Sequence, residues 1–138
     1  METKTKEFPI EAMDLENAGS VSSYIKKALI SKNISKSVIK RVSIAVYEAE
    51  INVVIHSYGG VCKYTIDDEC IHVIFEDTGP GIPDIEQAFK PGYSTANAQA
   101  INYGFGAGMG LINIRNASDD FHISSSPKGT ILDITIRF

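Results

Sequence analysis

The chain lacks most features that would place it in a specialised class. Its 138 residues include no Trp and only two Cys, which are not at CxxC spacing, so neither a zinc site nor a disulfide framework is expected. The apolar stretches are far shorter than the roughly 20 residues that cross a bilayer. The first residues, METKTKEF, also lack the apolar segment of a signal peptide. These absences predict a cytoplasmic protein with reduced thiols and no membrane partner.

Basic charge is also scarce. Thirteen Lys and Arg stand against seventeen Asp and Glu, a net charge of -4, and no basic run could follow a phosphate backbone. Nucleic acid is therefore not expected as a partner. The apolar fraction of 43% is ordinary for a globular protein, and the length suits one domain over residues 1–138.

Hydrophobic periodicity predicts two helices before the main sheet. Apolar residues recur at helical spacing from Ser20 to Ile30, with Ser20 as the expected N-cap. A longer helix is expected to begin near Ser35 and to continue to Tyr58, where Gly59-Gly60 stops it.

Strands are predicted on both sides of these helices. Residues 3–10 alternate weakly and include Pro9, which favours an edge strand. Two hairpins follow, at 61–76 and 121–138, and a helix that starts at Leu111 separates them. This order predicts an α+β two-layer sandwich with helices on one face of a mixed, mainly antiparallel sheet.

The first hairpin contains both cysteines. If its loop is Asp67-Asp68-Glu69, Cys62 lies opposite Ile74 and Cys70 lies opposite Ile66. The two sulfurs are then kept apart, which predicts a free thiol at each position.

Three polar residues form a stripe on the second predicted helix. Glu48, Asn52 and His56 follow each other at four-residue spacing in a segment rich in Ala, Val and Ile, so they share one face. Burying such groups without partners costs several kcal/mol, roughly. These groups either pair inside the protein, open on a cavity that holds a polar ligand, or point at water, and the helix alone does not decide between these alternatives.

A carboxylate and two glycines follow the second strand of the first hairpin. In Asp77-Thr78-Gly79-Pro80-Gly81 the glycines let a flat ligand or another backbone come close. A carboxylate accepts hydrogen bonds, and an adenine amino group donates them. A tight turn capped by Asp77 explains the same residues equally well.

Alternating glycines precede the last helix. GFGAGMG, residues 104–110, can direct several backbone N–H groups and a positive helix end toward phosphate. The segment matches neither the dinucleotide fingerprint nor a P-loop, and a flexible structural loop is the alternative. The polar, aperiodic residues 84–105 predict a mobile lid.

These motifs occur together and in a characteristic order. ExxxN on a helix, DxGxG after a strand, GxGxGxG before a helix and a closing Lys128-Gly129-Thr130 resemble the N, G1, G2 and final G-T boxes of the GHKL ATPase superfamily. The resemblance covers nearly the whole chain. It implies the Bergerat fold of the histidine kinase-like ATPases, with ATP and Mg²⁺ as ligands.

The resemblance also implies roles for single residues. Asn52 would bind Mg²⁺, Asp77 would accept from the adenine amino group, and Thr130 would support the adenine through water. Gly79 and Gly81 would line the base pocket, and Gly106, Gly108 and Gly110 would meet the phosphates. The further expected nucleotide contacts are Ile82, Ser94, Thr95 and Met109.

Within the superfamily, the segments EAEINVVIHSYGG, DTGPGI, PGYST and GAGMGL are most similar to the anti-sigma factor serine/threonine kinases. This implies that Glu48 is a general base and that a small antagonist-type protein receives the phosphate. The sequence departs from the family in lacking a lid arginine near the phosphates, for which Lys90 and Arg115 are the available substitutes.

Two other functions fit the same boxes. The domain could be a nucleotide-gated protein-binding module with little transfer activity, or a detached histidine-kinase ATPase domain whose partner supplies the His. Glu48 distinguishes the first of these from a kinase, because nucleotide sensing requires Asn52 and Asp77 but no second acidic side chain. A sigma factor and a second copy of the chain, as a homodimer, are further candidate partners that no motif supports.

Overall fold

The computed structural model describes residues 4–82, 85–89 and 110–138. Segments in which apolar residues recur every two residues form strands, and segments in which they recur about every 3.6 residues form helices, as expected. The elements in chain order are β1 Lys4–Ile10, α1 Ser20–Ser31, α2 Lys36–His56, β2 Gly60–Ile66, β3 Cys70–Asp77, α3 Ile85–Ala88, α4 Gly110–Ala117, β4 Asp120–Ser126 and β5 Gly129–Arg137.

The strands form one sheet in the order β1-β2-β3-β5-β4, and each neighbouring pair is antiparallel. The predicted α+β sandwich is confirmed, although the described strands form a wholly antiparallel sheet rather than a mixed one, and β1 lies at an edge as Pro9 indicated. Because side chains alternate along a strand, one face carries rows of buried apolar residues. One such row joins Cys62, Phe75 and Leu132 across three strands.

Helix α2 packs on this apolar face, in contact with β1, β3 and β5. It begins where predicted, because the Ser35 side chain accepts a hydrogen bond from Val38 N. It ends at His56, two residues before the predicted Tyr58, because the Ser57 hydroxyl donates to Val53 O and closes the last turn. No helix within the described ranges is long and apolar enough to cross a membrane.

The predicted register of the first hairpin is wrong by one residue. Cys62 lies opposite Phe75 rather than Ile74, and Ile66 lies opposite Ile71 rather than Cys70. The cause is the turn, in which Asp67 Oδ1 accepts from the backbone N–H of Glu69 and of Cys70. In this Asx-type turn, Asp67 N also donates to Cys70 O at 3.1 Å, so Cys70 faces Asp67 rather than Ile66.

The prediction of two free thiols is confirmed. Cys62 is buried on the apolar face, and burial, with a smaller contribution from Glu50, raises the pKa of its thiol to about 12. Cys70 is half-buried at the hairpin turn. A thiol with so high a pKa holds almost no thiolate at neutral pH, so Cys62 is a packing residue.

The N-terminus of α1 is capped differently from the prediction. Its N-cap is Gly19, at φ +98° with no side-chain bond of its own, rather than Ser20. The acceptor comes instead from α2, where Glu50 is only 2% exposed and accepts from the backbone N–H groups of Gly19, Val21 and Ser22 at 2.9, 3.3 and 3.1 Å. A carboxylate suits this position because a helix N-terminus carries partial positive charge.

The predicted lid contains a short helix. Residues 85–88 form α3, a correction to the expectation that residues 84–105 have no regular structure. Phe89 follows α3 and packs edge-to-face on Phe121 of β4, at 6.1 Å between ring centroids. Residue 84 and residues 90–105, the rest of the predicted lid, lie outside the described ranges.

Candidate functional site

The polar stripe of α2 lies at the border of the core. Glu48, Asn52 and His56 are each half-buried, between buried neighbours such as Ala49 and Val53. Within the described part of the chain, the side-chain amide of Asn52 makes no hydrogen bond. Burial lowers the pKa of His56, which favours a neutral imidazole at physiological pH.

The Glu48 carboxylate contacts α4. Asn113 Nδ2 donates to its Oε1 at 3.4 Å, and a Cβ added at Gly110 would lie 3.1 Å from its Oε2. Gly110 is the last alternating glycine and the first residue of α4. The structure thus brings the N box to the end of the glycine loop.

Sequence reasoning missed Asn113. The only sequence signal was that Asn113 is a polar residue between the apolar residues of LINIRNA. This signal is weak, because polar residues of an amphipathic helix usually face water. Only the approach of α4 to α2 shows that its amide reaches Glu48.

Asp77 stands at the end of β3 with its two oxygens in different environments. Its Oδ1 accepts from Thr130 N at 3.0 Å, whereas its Oδ2 has no hydrogen bond within the described residues. Burial raises the pKa of Asp77, and the bond from Thr130 partly offsets this. The half-buried carboxylate therefore presents one oriented acceptor oxygen that a ligand donor could satisfy.

A hydroxyl network surrounds this carboxylate. Thr130 is buried, and its Oγ1 lies 2.8 Å from Ser125 Oγ, which accepts from Ile82 N at 2.7 Å. The network ties β5, β4 and the segment after Asp77 together. Sequence reasoning singled out Thr130 and Ile82 but missed Ser125, because three consecutive serines give no sign of which one points inward.

Two glycines near Asp77 are required by the backbone of the protein itself. A Cβ added at Gly81, where φ is +74°, would lie 2.0 Å from Ser126 O, and one at Gly129, where φ is +149°, would lie 2.0 Å from Asp77 O. Gly79 is buried, and a Cβ added there would lie 3.1 Å from Ser57 Cα. Close backbone packing thus explains these glycines independently of a ligand, and the lining of a base pocket by Gly79 and Gly81 stays a prediction.

The end of α2 is fastened to the residues after Asp77. Tyr58 N donates to Thr78 O at 2.7 Å, and Thr78 N donates to Gly59 O at 3.0 Å. Asn52 lies four residues before His56, the last residue of α2, or about 6 Å along the helix axis. The two candidate ligand-binding segments therefore share one rigid frame.

Part of the predicted site lies outside the described residues. This applies to Lys90 and to a group of predicted nucleotide contacts: Ser94, Thr95, Gly106, Gly108 and Met109. Arg115, the other substitute for a lid arginine, is exposed on α4 and its guanidinium lies 4.7 Å from the centroid of the Phe89 ring. That contact places it beside α3 and leaves its predicted role open.

Comparison with known proteins relates this arrangement to named relatives. Anti-sigma F factor of Bacillus licheniformis is 35% identical over 97 residues, 65% of this chain and 63% of that protein. Anti-sigma F factor of Bacillus subtilis (strain 168) is 33% identical over 97 residues, with the same shares. Serine/threonine-protein kinase RsbT of Bacillus subtilis (strain 168) is 36% identical over 55 residues, 40% of this chain and 35% of that protein. The chain spans less than two thirds of the length of these relatives.

A family model extends further along the chain. The model of the histidine kinase-like ATPase domain matches residues 12–136, which include all four boxes. The match agrees with the fold and with the placement of the N box beside the end of the glycine loop. The chain therefore belongs to the histidine kinase-like ATPase domain family.

Proposed function

We propose that this protein is a Mg-ATP-dependent serine/threonine protein kinase of the anti-sigma factor type, which acts in the cytoplasm on a small antagonist-type protein. The observation that carries the proposal is the position of the Glu48 carboxylate against the first residue of α4. It lies one turn from Asn52 and beside the segment proposed to hold the phosphates. The names of the relatives, anti-sigma F factor and serine/threonine-protein kinase, support this function.

The adenine end of the nucleotide is assigned to Asp77. Its Oδ2, which has no hydrogen bond within the described residues, can accept from the adenine amino group, and the hydrogen bond from Thr130 N to Oδ1 holds the carboxylate in place. Guanine has a carbonyl oxygen at the corresponding position, so two acceptors would face each other. The site is therefore proposed to select adenine over guanine.

Asp77→Asn is expected to weaken ATP binding by about 10–100-fold, because a charge-assisted hydrogen bond worth roughly 1.5–3 kcal/mol is lost. The same substitution should stabilise the nucleotide-free protein at neutral pH. The native pKa of Asp77 is raised by burial, so the ionised carboxylate lowers stability above that pKa, and asparagine removes this cost. Calorimetric titration and thermal melting measure the two effects.

Glu76→Gln is the matched control for Asp77→Asn. Glu76 is the preceding residue of β3 and is exposed, so its substitution changes the same charge without touching the site. It should leave ATP affinity within about twofold. Equal affinity of the wild-type protein for ATP and GTP would contradict the adenine assignment.

The phosphate end is assigned to α2 and the glycine loop. The amide oxygen of Asn52 has no partner in the described part of the chain, and such oxygens suit Mg²⁺. When bound, Mg²⁺ would neutralise charge on the phosphate oxygens. The remaining proposed contacts are Ser94, Thr95, Gly106, Gly108, Met109 and Gly110.

Glu48 is proposed to act as the general base. It takes the proton of the acceptor hydroxyl while the hydroxyl oxygen bonds to the γ-phosphorus and ADP leaves. Asn113 holds one carboxylate oxygen and Gly110 lies against the other. Asn113 is thus a positioning residue, because it acts through Glu48.

Asn113→Ala is expected to lower kcat for phosphoryl transfer by about 2–10-fold, the value of one hydrogen bond of roughly 0.5–1.5 kcal/mol. The KM for ATP should change little, because Asn113 is not assigned to the nucleotide. Asn116→Ala is the control, since Asn116 is an exposed residue of the same helix. Equal kinetics for the two variants would contradict the positioning role.

A nucleotide-gated binding module is the second candidate, and the anti-sigma F factor relatives favour it. Incubation of the protein with ATP and a candidate partner, followed by mass spectrometry, distinguishes the functions. Phosphoserine or phosphothreonine supports the kinase, and phosphohistidine indicates a detached histidine-kinase domain. Nucleotide-dependent binding without phosphate indicates the module. A sigma factor as partner and a homodimer stay proposals that the same preparation can test.

A further inference from the structure

An apolar groove lies between α1 and the first half of α2, apart from the four boxes. Its volume is about 710 Å³. Isoleucines form its floor, and Ile30 and Ile44 are 54% and 39% exposed. Large aliphatic side chains are rarely left so open in a cluster unless something covers them.

Lysines surround this floor. Lys26, Lys36 and Lys40 line the groove and are exposed, and none of them is in an ion pair within the described residues. Residues 17–47 contain six basic residues and no acidic one, although the chain has a net charge of -4. The groove is thus a local positive surface on an acidic protein.

The floor also contains an unsatisfied hydroxyl. Ser43 lines the groove, and its Oγ is buried with no hydrogen-bond partner in the described part of the chain. A buried hydroxyl without a partner is costly. A polar group brought by an occupant would give it one after rotation about χ1.

These features select one kind of occupant. A second copy of this chain, packed by two-fold symmetry, would bring lysines against lysines. The phosphates of a nucleic acid would pair with the lysines but would leave the isoleucines of the floor uncovered. A membrane binds protruding apolar surface, whereas this surface is concave. An amphipathic helix meets all the conditions, because its apolar stripe fits a groove between helices.

We propose that the groove docks an acidic amphipathic helix of a partner protein. Apolar side chains at i, i+3, i+4 and i+7 would cover the isoleucines, and flanking Asp and Glu would pair with the lysines. This docking surface contains none of the residues assigned to the nucleotide site, because its last residue on α2, Ile44, lies about 6 Å along the helix axis before Glu48 and about 12 Å before Asn52. It does not depend on the proposed kinase activity.

The first test uses a synthetic helical peptide of about 14 residues, or four turns, with Leu at the four apolar positions and Glu beside them. Isoleucine-methyl NMR of the full chain reports where it binds. We expect shifts at Ile30, Ile39 and Ile44 and none at Ile74, on the opposite face of the sheet. An absence of shifts at millimolar peptide, or shifts centred elsewhere, would overturn the proposal.

The second test compares two neighbouring charge reversals. Lys26 lines the groove, whereas Lys27 does not and points about 100° away on the same helix. By fluorescence anisotropy, Lys26→Glu should weaken peptide binding about tenfold, a change of roughly 1.4 kcal/mol, and Lys27→Glu by less than twofold. Both variants should bind ATP normally, which also verifies their folding.

Other outcomes would also overturn the proposal. Equal weakening by Lys26→Glu and Lys27→Glu would indicate unspecific attraction. If a peptide with Lys in place of Glu bound as tightly as the acidic peptide, charge complementarity would play no part in binding. The protein could also bind phosphatidylserine vesicles or duplex DNA more tightly than it binds the peptide. If Lys26→Glu abolished that binding and Lys27→Glu did not, the groove would be assigned to a membrane or a nucleic acid. Concentration-dependent dimerisation that Ile30→Ser abolishes would assign it to a second copy.

Discussion

Glu48→Gln is expected to lower phosphoryl transfer to the protein acceptor by about 10²–10⁴-fold, the usual contribution of a general base. Glutamine keeps the size of the side chain and can still accept from Asn113, whose amide lies 3.4 Å from the carboxylate oxygen. It cannot take the hydroxyl proton. ATP affinity should therefore persist while the rate of the chemical step falls.

The measurement is single-turnover transfer of labelled phosphate, together with calorimetric titration of ATP. Glu69→Gln, at an exposed position of the β2–β3 hairpin, removes the same charge elsewhere and should keep full activity. Asn52→Ala should behave differently from Glu48→Gln, because it should weaken Mg-ATP binding more than metal-free ATP binding. Full transfer activity in Glu48→Gln would place the base on another residue.

The element order and fold class could be predicted because each segment has one clear periodicity. Helix α2 is an example, since its apolar residues Val42, Ala45, Val46 and Ala49 all proved to be buried. Local patterns of this kind survive in the fold because burial of the apolar face stabilises the helix.

The register and the α1 cap could not be predicted, because both depend on contacts that the local pattern does not contain. The hairpin register depends on whether the Asp67 side chain accepts from its own turn, and a shift of one residue changes the pairing of the whole strand. The cap of α1 depends on Glu50, which is 28 to 31 residues away in sequence from the N–H groups it accepts.

In the candidate site too, some groups could be predicted from local sequence and others depend on contacts between distant segments. Asp77 and Thr130 were identified from the family resemblance, but the bond from Thr130 N that orients Asp77 depends on β3 and β5 lying side by side. Asn113 gave no usable signal, because its role follows from the approach of α4 to α2. Single boxes can thus be read from sequence, whereas the groups that orient them require the fold.

The basic groove escaped prediction for a related reason. A search for consecutive basic residues finds none of note, because Lys26 and Lys40 belong to different helices. The overall charge of -4 also hides the absence of acidic residues from 17 to 47. Packing of α1 against α2 is what turns scattered lysines into one surface.

Glu50→Ala is expected to lower the free energy of unfolding by about 3–5 kcal/mol, the scale for removing one partner from a buried charged network. The substitution leaves three backbone N–H groups at the start of α1 without their acceptor and opens a cavity where a buried side chain stood. Urea denaturation measures the change. Glu16→Ala, at an exposed position before α1, should change stability by less than about 0.5 kcal/mol.

The pH dependence of stability distinguishes the effect of the charge of Glu50 from the effect of its size, because Glu50→Gln removes the charge and keeps the size. Burial raises the pKa of Glu50, and the backbone hydrogen bonds from Ser22, Gly19 and Val21 only partly oppose it. A carboxyl whose native pKa is raised contributes most stability below its unfolded value of about 4.3, and this contribution declines as pH rises through the native pKa. The advantage of the wild-type protein over Glu50→Gln should therefore shrink as pH rises from the unfolded value through the raised native pKa. An advantage that grew with pH would mean that the N–H groups outweigh burial, and it would reverse the assigned direction of the shift.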